Sequence, residues 1–268
     1  MEERIGLIAG NGQFPILFAK SALSYGKEIV AIAVREETDP ELKNYVHKII
    51  WIGLGELKEF FHILKEERLK EVVMAGQIRP SHIFNKNISM DENLKKFLKK
   101  VRDKRADSLL GEIARMLRRM GIRLLDSTTF LKDHLVSRGH LSNIKPTEAQ
   151  WQDIRFGRSI ARRIAGLDIG QTVVVKDRAI LAIEAIEGTD EAIKRAGVLA
   201  GDGAVVIKVS KPHQDMRFDI PFVGPKTLDS LVCASCAVLA MEAGKTLFLE
   251  KQQCLKVAEE NNICLVGI

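Results

Sequence analysis

Over the first half of the chain, short apolar runs alternate with stretches of helical spacing, and few folds accommodate that order. Ile5-Gly6-Leu7-Ile8-Ala9, Glu28 to Val34, Lys48 to Ile52, Glu71 to Ala75 and Arg123-Leu124-Leu125 have the apolar, β-branched character of buried strands. Between them Phe14 to Ser24, and stretches near 40–45, 56–67, 92–100 and 107–120, read as helices. Strands that alternate with helices imply a parallel sheet. The expected class is α/β with two domains. Residues 1–136 form a Rossmann-like domain with helices on both faces of a parallel sheet. The polar segment 137–147, with Gly139 and Pro146, is a linker. Residues 148–268 form a mixed α/β domain.

In that second half Thr172-Val173-Val174-Val175 and Ile180-Leu181-Ala182-Ile183 flank Lys176-Asp177-Arg178-Ala179 as a hairpin. A helix follows Gly188-Thr189. Strands at Ala204 to Val209, Thr246 to Leu249 and Ile263 to Val266 are expected to alternate with helices at 226–243 and 251–260. Cys233 and Cys236 fall in an apolar helical pattern and Cys254 and Cys264 in others, which predicts buried reduced thiols rather than a metal set. No run of 18 apolar residues occurs, so no membrane span is expected. The opening Met1-Glu2-Glu3-Arg4-Ile5 enters a strand and is not a secretory signal, which predicts a cytoplasmic protein.

A net charge of +6 admits nucleic acid, an anionic membrane surface or an anionic substrate. Aromatic residues make up 6% of the chain and do not alternate with cations along a strand, so no nucleic-acid partner is expected. The cations concentrate in Lys95 to Arg105 and Arg155 to Arg163, both helical in pattern. Each is either a solvated face or a surface attracted to anionic lipid.

Candidate site residues occupy the loops. Gly10-Asn11-Gly12-Gln13 lies between the first strand and first helix, where backbone amides either hold a phosphate or merely turn the chain. A dinucleotide fingerprint needs a third glycine near position 15, where Pro15 stands, and an acidic residue where Arg35-Glu36-Glu37 follows the second strand. Gln77 and Arg79 follow the fourth strand and belong beside that turn. Asp126 and Ser127 read as caps, and Asp107 and Ser108 either as an N-cap or as residues that face the cleft. From Ala182 to Leu228, Glu184, Glu187, Asp190, Asp215 and Asp219 mix with Lys208, Lys211 and Arg217. Asp215, Arg217 and Asp219 alternate by two, so an extended segment projects them together, as an ion-pair ladder or as a metal and phosphate cluster. Glu184 is either a salt-bridge partner or a site residue, and Asp190 either a cap or a ligand contact. Carboxylates without a Cys or His set suit a hard cation.

Three segments carry a family resemblance. The pieces I-E-A-x-E-G-T-D from Ile183 and K-x-x-K-P-x-Q-D-x-R-x-D-x-P-x-x-G-x-x-T from Lys208 resemble the LpxI family, the UDP-2,3-diacylglucosamine pyrophosphatases of lipid A biosynthesis. The opening Ala9-Gly10-Asn11-Gly12-Gln13-Phe14-Pro15 is similar to that family's A-G-x-G-x-x-P. The resemblance implies Mg²⁺-dependent hydrolysis of UDP-2,3-diacylglucosamine to UMP and 2,3-diacylglucosamine 1-phosphate (lipid X), by an enzyme peripheral to the inner face of the cytoplasmic membrane. Asp219, Asp215, Asp190 and Lys211 become the expected catalytic residues, with Asp219 and Asp190 as metal ligands. Gly10, Asn11, Gly12, Gln13, Gln77, Arg79, Glu187, Thr189, Lys208, Gln214, Gly224 and Thr227 become the expected substrate contacts. The alternatives are a nucleotide-sugar or NAD-dependent oxidoreductase and a non-catalytic binder of an anionic ligand.

Overall fold

The computed structural model describes residues 4–78, 89–101, 106–218 and 220–268. Arg79 and Asp219 lie outside the described residues, as do Arg102, Lys104 and Arg105 of the basic stretch and the side chain of Asp107. The chain divides into two compact units, Met1–Lys132 with Asp215–Asp219, and Asp133–Gln214 with Ile220–Ile268.

The first unit holds β1 (Arg4–Ala9), α1 (Phe14–Ser24), β2 (Glu28–Val34), β3 (Lys48–Ile52), α2 (Leu57–Glu66), β4 (Glu71–Ala75), α3 (Glu92–Lys100), α4 (Ala106–Arg119) and β5 (Arg123–Leu124). The expected helix near 40–45 is a 3₁₀ turn, started by Asp39, whose carboxylate accepts the Glu41 amide at 2.9 Å. All five strands are parallel, in the order β3-β2-β1-β4-β5. The order reverses between β1 and β4, the switch point at whose carboxyl ends open α/β sheets commonly bind ligands. β1 and β2 are buried on both sides, which is why they read as continuous apolar runs. On α3 Phe97 turns into this unit's core while Lys95, Lys96, Lys99 and Lys100 are exposed, an arrangement common to a solvated face and to a surface that meets anionic lipid.

The segment Asp215–Asp219 belongs to this unit although the sequence places it in the second domain. Phe218 is the reason: it is 7% exposed and packs in the core of Val72, Met74 and Leu124. Ser127 fastens the segment, its amide donating to Met216 O at 2.8 Å and its hydroxyl lying 2.8 Å from Arg217 O.

The second unit holds β6 (Gly139–His140), α5 (Glu148–Gly166), β7 (Thr172–Lys176), β8 (Ala179–Ile183), α6 (Thr189–Ala200), β9 (Val205–Lys208), β10 (Phe222–Val223), α7 (Pro225–Cys233), β11 (Val238–Met241), β12 (Leu247–Phe248), α8 (Lys251–Glu260) and β13 (Cys264–Gly267). Its main sheet runs β6-β13-β11-β9-β7-β8. β13, β11 and β9 are mutually parallel, and β7 and β6 run against them.

Three expectations are corrected here. The proposed linker 137–147 is part of the second unit, because β6 pairs with β13 and the buried Ser142 hydroxyl accepts the Leu265 amide at 2.9 Å. The expected helix 226–243 stops at Cys233; Ser235 takes a left-handed φ of 48°, and Val238 to Met241, all buried, form a central strand instead. Of the expected strand Thr246 to Leu249, Leu247 and Phe248 pair with β10, away from the main sheet.

The β7–β8 hairpin turns through Asp177 and Arg178, both left-handed (φ 51° and 60°), the backbone of a type I′ turn. Neither is glycine, and each such residue costs about 1–2 kcal/mol. Asp153 of α5 offsets this: its buried carboxylate accepts the Asp177 amide at 3.1 Å and the Arg178 amide at 2.6 Å. The four cysteines are free thiols. Burial pushes Cys236 and Cys254 up to about 12 and Cys264 to about 11, while Cys233, against expectation, is exposed. Among the described residues no helix is long and apolar enough to cross a membrane.

Candidate active site

The polar residues of the second unit gather where β8, β9 and β11 end and β7 begins. Lys208 closes β9, in register with Thr172 of β7 and Met241 of β11, and is only 7% exposed. Its ammonium Nζ donates to Thr189 Oγ1 at 2.6 Å. Thr189 opens α6 immediately after Gly188, whose φ of 87° turns the chain into the helix. The Thr189 hydroxyl in turn donates to Glu184 Oε1 at 2.9 Å, and the Gln171 amide donates to Glu184 Oε2 at 3.0 Å. Burial opposes ionisation of Glu184, but the Lys208 charge together with hydrogen bonds from Thr172, Gln171 and Thr189 outweighs it. The carboxyl is held below its ordinary value of 4.5.

A second helix start reaches the same place. Thr227, in the first turn of α7, donates to Asp190 Oδ1 at 3.1 Å, and Asp190 follows Thr189 in α6. Gly224 caps α7 in a buried position where a Cβ would sit 3.3 Å from that of Leu249. Next along the edge, Glu242 follows β11 and accepts from Arg162 and from both the amide and hydroxyl of Ser210, each at 2.8 Å. Burial raises its pKa, and these bonds more than reverse the effect.

Other expected site residues of this unit have local partners. Lys211 pairs with Asp168 at 2.7 Å, and Gln214 Oε1 accepts the Lys211 amide at 3.1 Å. Glu187 is bound to Arg195 at 2.9 Å and accepts the Ala185 amide at 3.1 Å, bracing the loop before α6 rather than joining Lys208.

In the first unit the glycine turn is used differently from expectation. The Gly10 amide, expected to meet a phosphate, donates to Ala75 O at 2.8 Å, and the Asn11 amide donates to Gln77 O, also at 2.8 Å. Gln77 returns its amide to Asn11 O at 3.3 Å, so the two loops zip together. Gly10 is required for this approach: a Cβ there would lie 2.7 Å from Gln77 O. That leaves Gly12 (φ 91°) and the exposed Gln13 at the start of α1 as the part of the turn not taken up by the loop after β4. Asp126 caps its own turn, accepting the Thr128 amide and hydroxyl at 2.7 and 2.6 Å.

Asp215 does not lie in an extended strand. The Phe218 amide closes a turn onto Asp215 O at 3.2 Å, and the Asp215 carboxylate accepts the Arg217 amide (3.1 Å), Nε (2.9 Å) and a terminal guanidinium nitrogen (2.6 Å). These bonds from Arg217 hold the Asp215 carboxyl low and make the pair a turn clasp. Among the described residues no group of three His, Cys, Asp or Glu side chains is placed to hold a metal ion.

Thr172, Arg162, Ser210, Asp168 and Glu242 complete this edge, and sequence reasoning passed over them. Their partners are 80 residues apart for Arg162 and Glu242 and 32 for Ser210 and Glu242, so no local spacing betrays them. The one available signal is position, and only for three of them: Thr172, Ser210 and Glu242 lie at or near a strand end.

A buried lysine hydrogen-bonded to a helix start, at the carboxyl edge of an α/β sheet, suits an anionic ligand. Comparison with protein families agrees. The LpxI N-terminal domain matches residues 4–134 and the LpxI C-terminal domain matches residues 137–266. The chain belongs to the LpxI family. It is 28% identical over 276 aligned residues to the UDP-2,3-diacylglucosamine pyrophosphatase LpxI of Caulobacter vibrioides, covering 99% of this chain and 97% of that one. Two solved structures show a looser likeness. The biotin carboxylase domain of Hydrogenobacter thermophilus 2-oxoglutarate carboxylase is 13% identical with a TM-score of 0.30, covering 75% of this chain and 41% of that one. Campylobacter jejuni biotin carboxylase is 11% identical with the same TM-score, covering 76% and 44%. Likeness at this level carries no argument about fold or chemistry.

Proposed function

We propose that the chain hydrolyses the pyrophosphate bond of UDP-2,3-diacylglucosamine, releasing UMP and 2,3-diacylglucosamine 1-phosphate for lipid A synthesis. The observation that carries the reading is the end-to-end family match together with the named relative that it aligns with over 99% of the chain. The Lys208 edge supplies chemistry suited to it. Hydrolysis adds water across P–O–P: the water oxygen bonds one phosphorus as the bridging bond breaks. Charge accumulates on the non-bridging and leaving oxygens, and catalysis is largely a matter of meeting that charge. In this reading Lys208 and the amides opening α6 and α7 would meet that charge. Thr189 gives its proton to Glu184 and so serves as a support for Lys208 rather than as a phosphate donor. In the first unit Gly12 and Gln13 are the proposed nucleotide contacts.

Magnesium dependence is part of the proposal. Mg²⁺ is usually held by one or two carboxylates plus substrate phosphates, so a site of this kind needs no cage of three protein ligands. A carboxylate-rich stretch with no Cys or His ligand set suits such a hard cation, with Asp190 and Asp219 as the residues that would hold it. When bound it would neutralise phosphate charge and acidify a water molecule. Chelation with EDTA is expected to abolish UMP release and added Mg²⁺ to restore it. Full turnover in chelator would remove the metal from the proposal. An oxidoreductase would instead change the redox state of NAD, and a binder would return the substrate intact.

The substrate's acyl chains place the reaction at a membrane surface, and the exposed lysines of α3 are the proposed attachment. Each such cation contributes on the order of 1 kcal/mol near anionic lipid. The protein should sediment with anionic vesicles at low salt and be released at high salt. Equal binding to neutral vesicles would count against an electrostatic attachment.

A further inference from the structure

Glu184 has none of the roles assigned above, yet it ends a directed chain of hydrogen bonds. A threonine hydroxyl has one proton to give. Thr189 spends it on Glu184 at 2.9 Å, so towards Lys208 it only accepts, and Lys208 donates at 2.6 Å. Glu184 is itself anchored by the Gln171 amide at 3.0 Å, and the Thr172 hydroxyl lies 3.3 Å from that of Thr189. The other acids of this edge are engaged elsewhere: Asp190 accepts from Thr227, Glu242 from Arg162 and Ser210, and Asp168 pairs with Lys211.

We infer that Glu184 is a positioning residue for the proposed hydrolysis: by taking the Thr189 proton it fixes that hydroxyl as an acceptor and so holds the Lys208 ammonium at the start of α6, where a substrate phosphate oxygen is met. The inference rests on the diphosphate-hydrolase reading. A long, flexible lysine side chain gains most from such a brace, because catalysis by a placed charge falls steeply when the charge wanders.

The test is a double-mutant cycle with a structural readout. Glu184→Ala is expected to lower kcat about tenfold to a hundredfold with a smaller change in KM, since the charge it places is used in the transition state. In a Lys208→Ala background the same change should cost almost nothing more, the signature of a residue that acts through another. Thr189→Ser, which keeps the hydroxyl, should retain activity that Thr189→Val loses. A crystal structure of Glu184→Ala should show Lys208 Nζ away from Thr189. Losses that simply multiply in the double variant, or a Lys208 that keeps its place, would overturn the inference. Should Glu184→Ala fail to fold, Glu184→Gln enters the same cycle. The Lys208 position is read without turnover, so a wild-type chain inactive on the substrate would overturn the functional reading separately.

Discussion

Lys208→Met should reduce kcat/KM about a thousandfold, the upper range for removing one preorganised group that meets transition-state charge. Methionine matches the length and apolar stem of lysine, so the β9 end stays filled and the loss reports the ammonium. The variant should also be less stable at neutral pH, because Glu184 is left partly buried without the charge that holds its carboxyl low. The sign follows from the direction of that shift. A depressed carboxyl contributes stability above its unfolded value, near 4.5, and the contribution disappears as pH falls through the folded value. The stability gap between wild type and Lys208→Met should therefore be full at neutral pH and close as the pH drops below about 4.5. Adding Glu184→Gln to Lys208→Met should recover stability but not activity. Denaturant midpoints across pH and steady-state kinetics check both halves. Activity within a fewfold of wild type in Lys208→Met would move the chemistry away from this edge.

Asp219→Ala is expected to lower kcat at least about a hundredfold, the scale of a general base or positioned charge, while thermal melting stays near that of wild type. The motive is the sequence Arg217-Phe218-Asp219-Ile220-Pro221 inside the longer family pattern, with Phe218 and Ile220 both buried on either side of it. Substrate should still bind, so the variant is suited to trapping an uncleaved complex. Wild-type kcat in Asp219→Ala would pass the role to Asp190, in the first turn of α6, whose carboxylate accepts from Thr227.

The fold was most legible where one physical rule acted alone. β2 and β4 occupy the expected residues because strands buried on both faces are continuous apolar runs. It was least legible where an apolar run had two readings. Val238 to Met241 continues the apolar pattern of the helix before it, and only the left-handed turn at Ser235 separates them. Residues 137–147 are polar, as a linker is, yet Gly139 and His140 complete a sheet edge whose partner lies more than a hundred positions away. The site divides in the same way. Lys208, Thr189, Asp190 and Thr227 carry family-pattern residues and do come together. The Gly10 and Asn11 amides do not face a ligand, because β4's exit loop claims them first. Asp215 and Arg217 alternate as a ladder would, but an Asx-type turn folds them onto each other.

The most direct test of the account is product identity. Purified chain incubated with UDP-2,3-diacylglucosamine and Mg²⁺, followed by mass spectrometry of the whole reaction, should show UMP and 2,3-diacylglucosamine 1-phosphate rising in equal amounts as substrate falls. Substrate recovered intact, or UDP appearing with free diacylglucosamine, would contradict it.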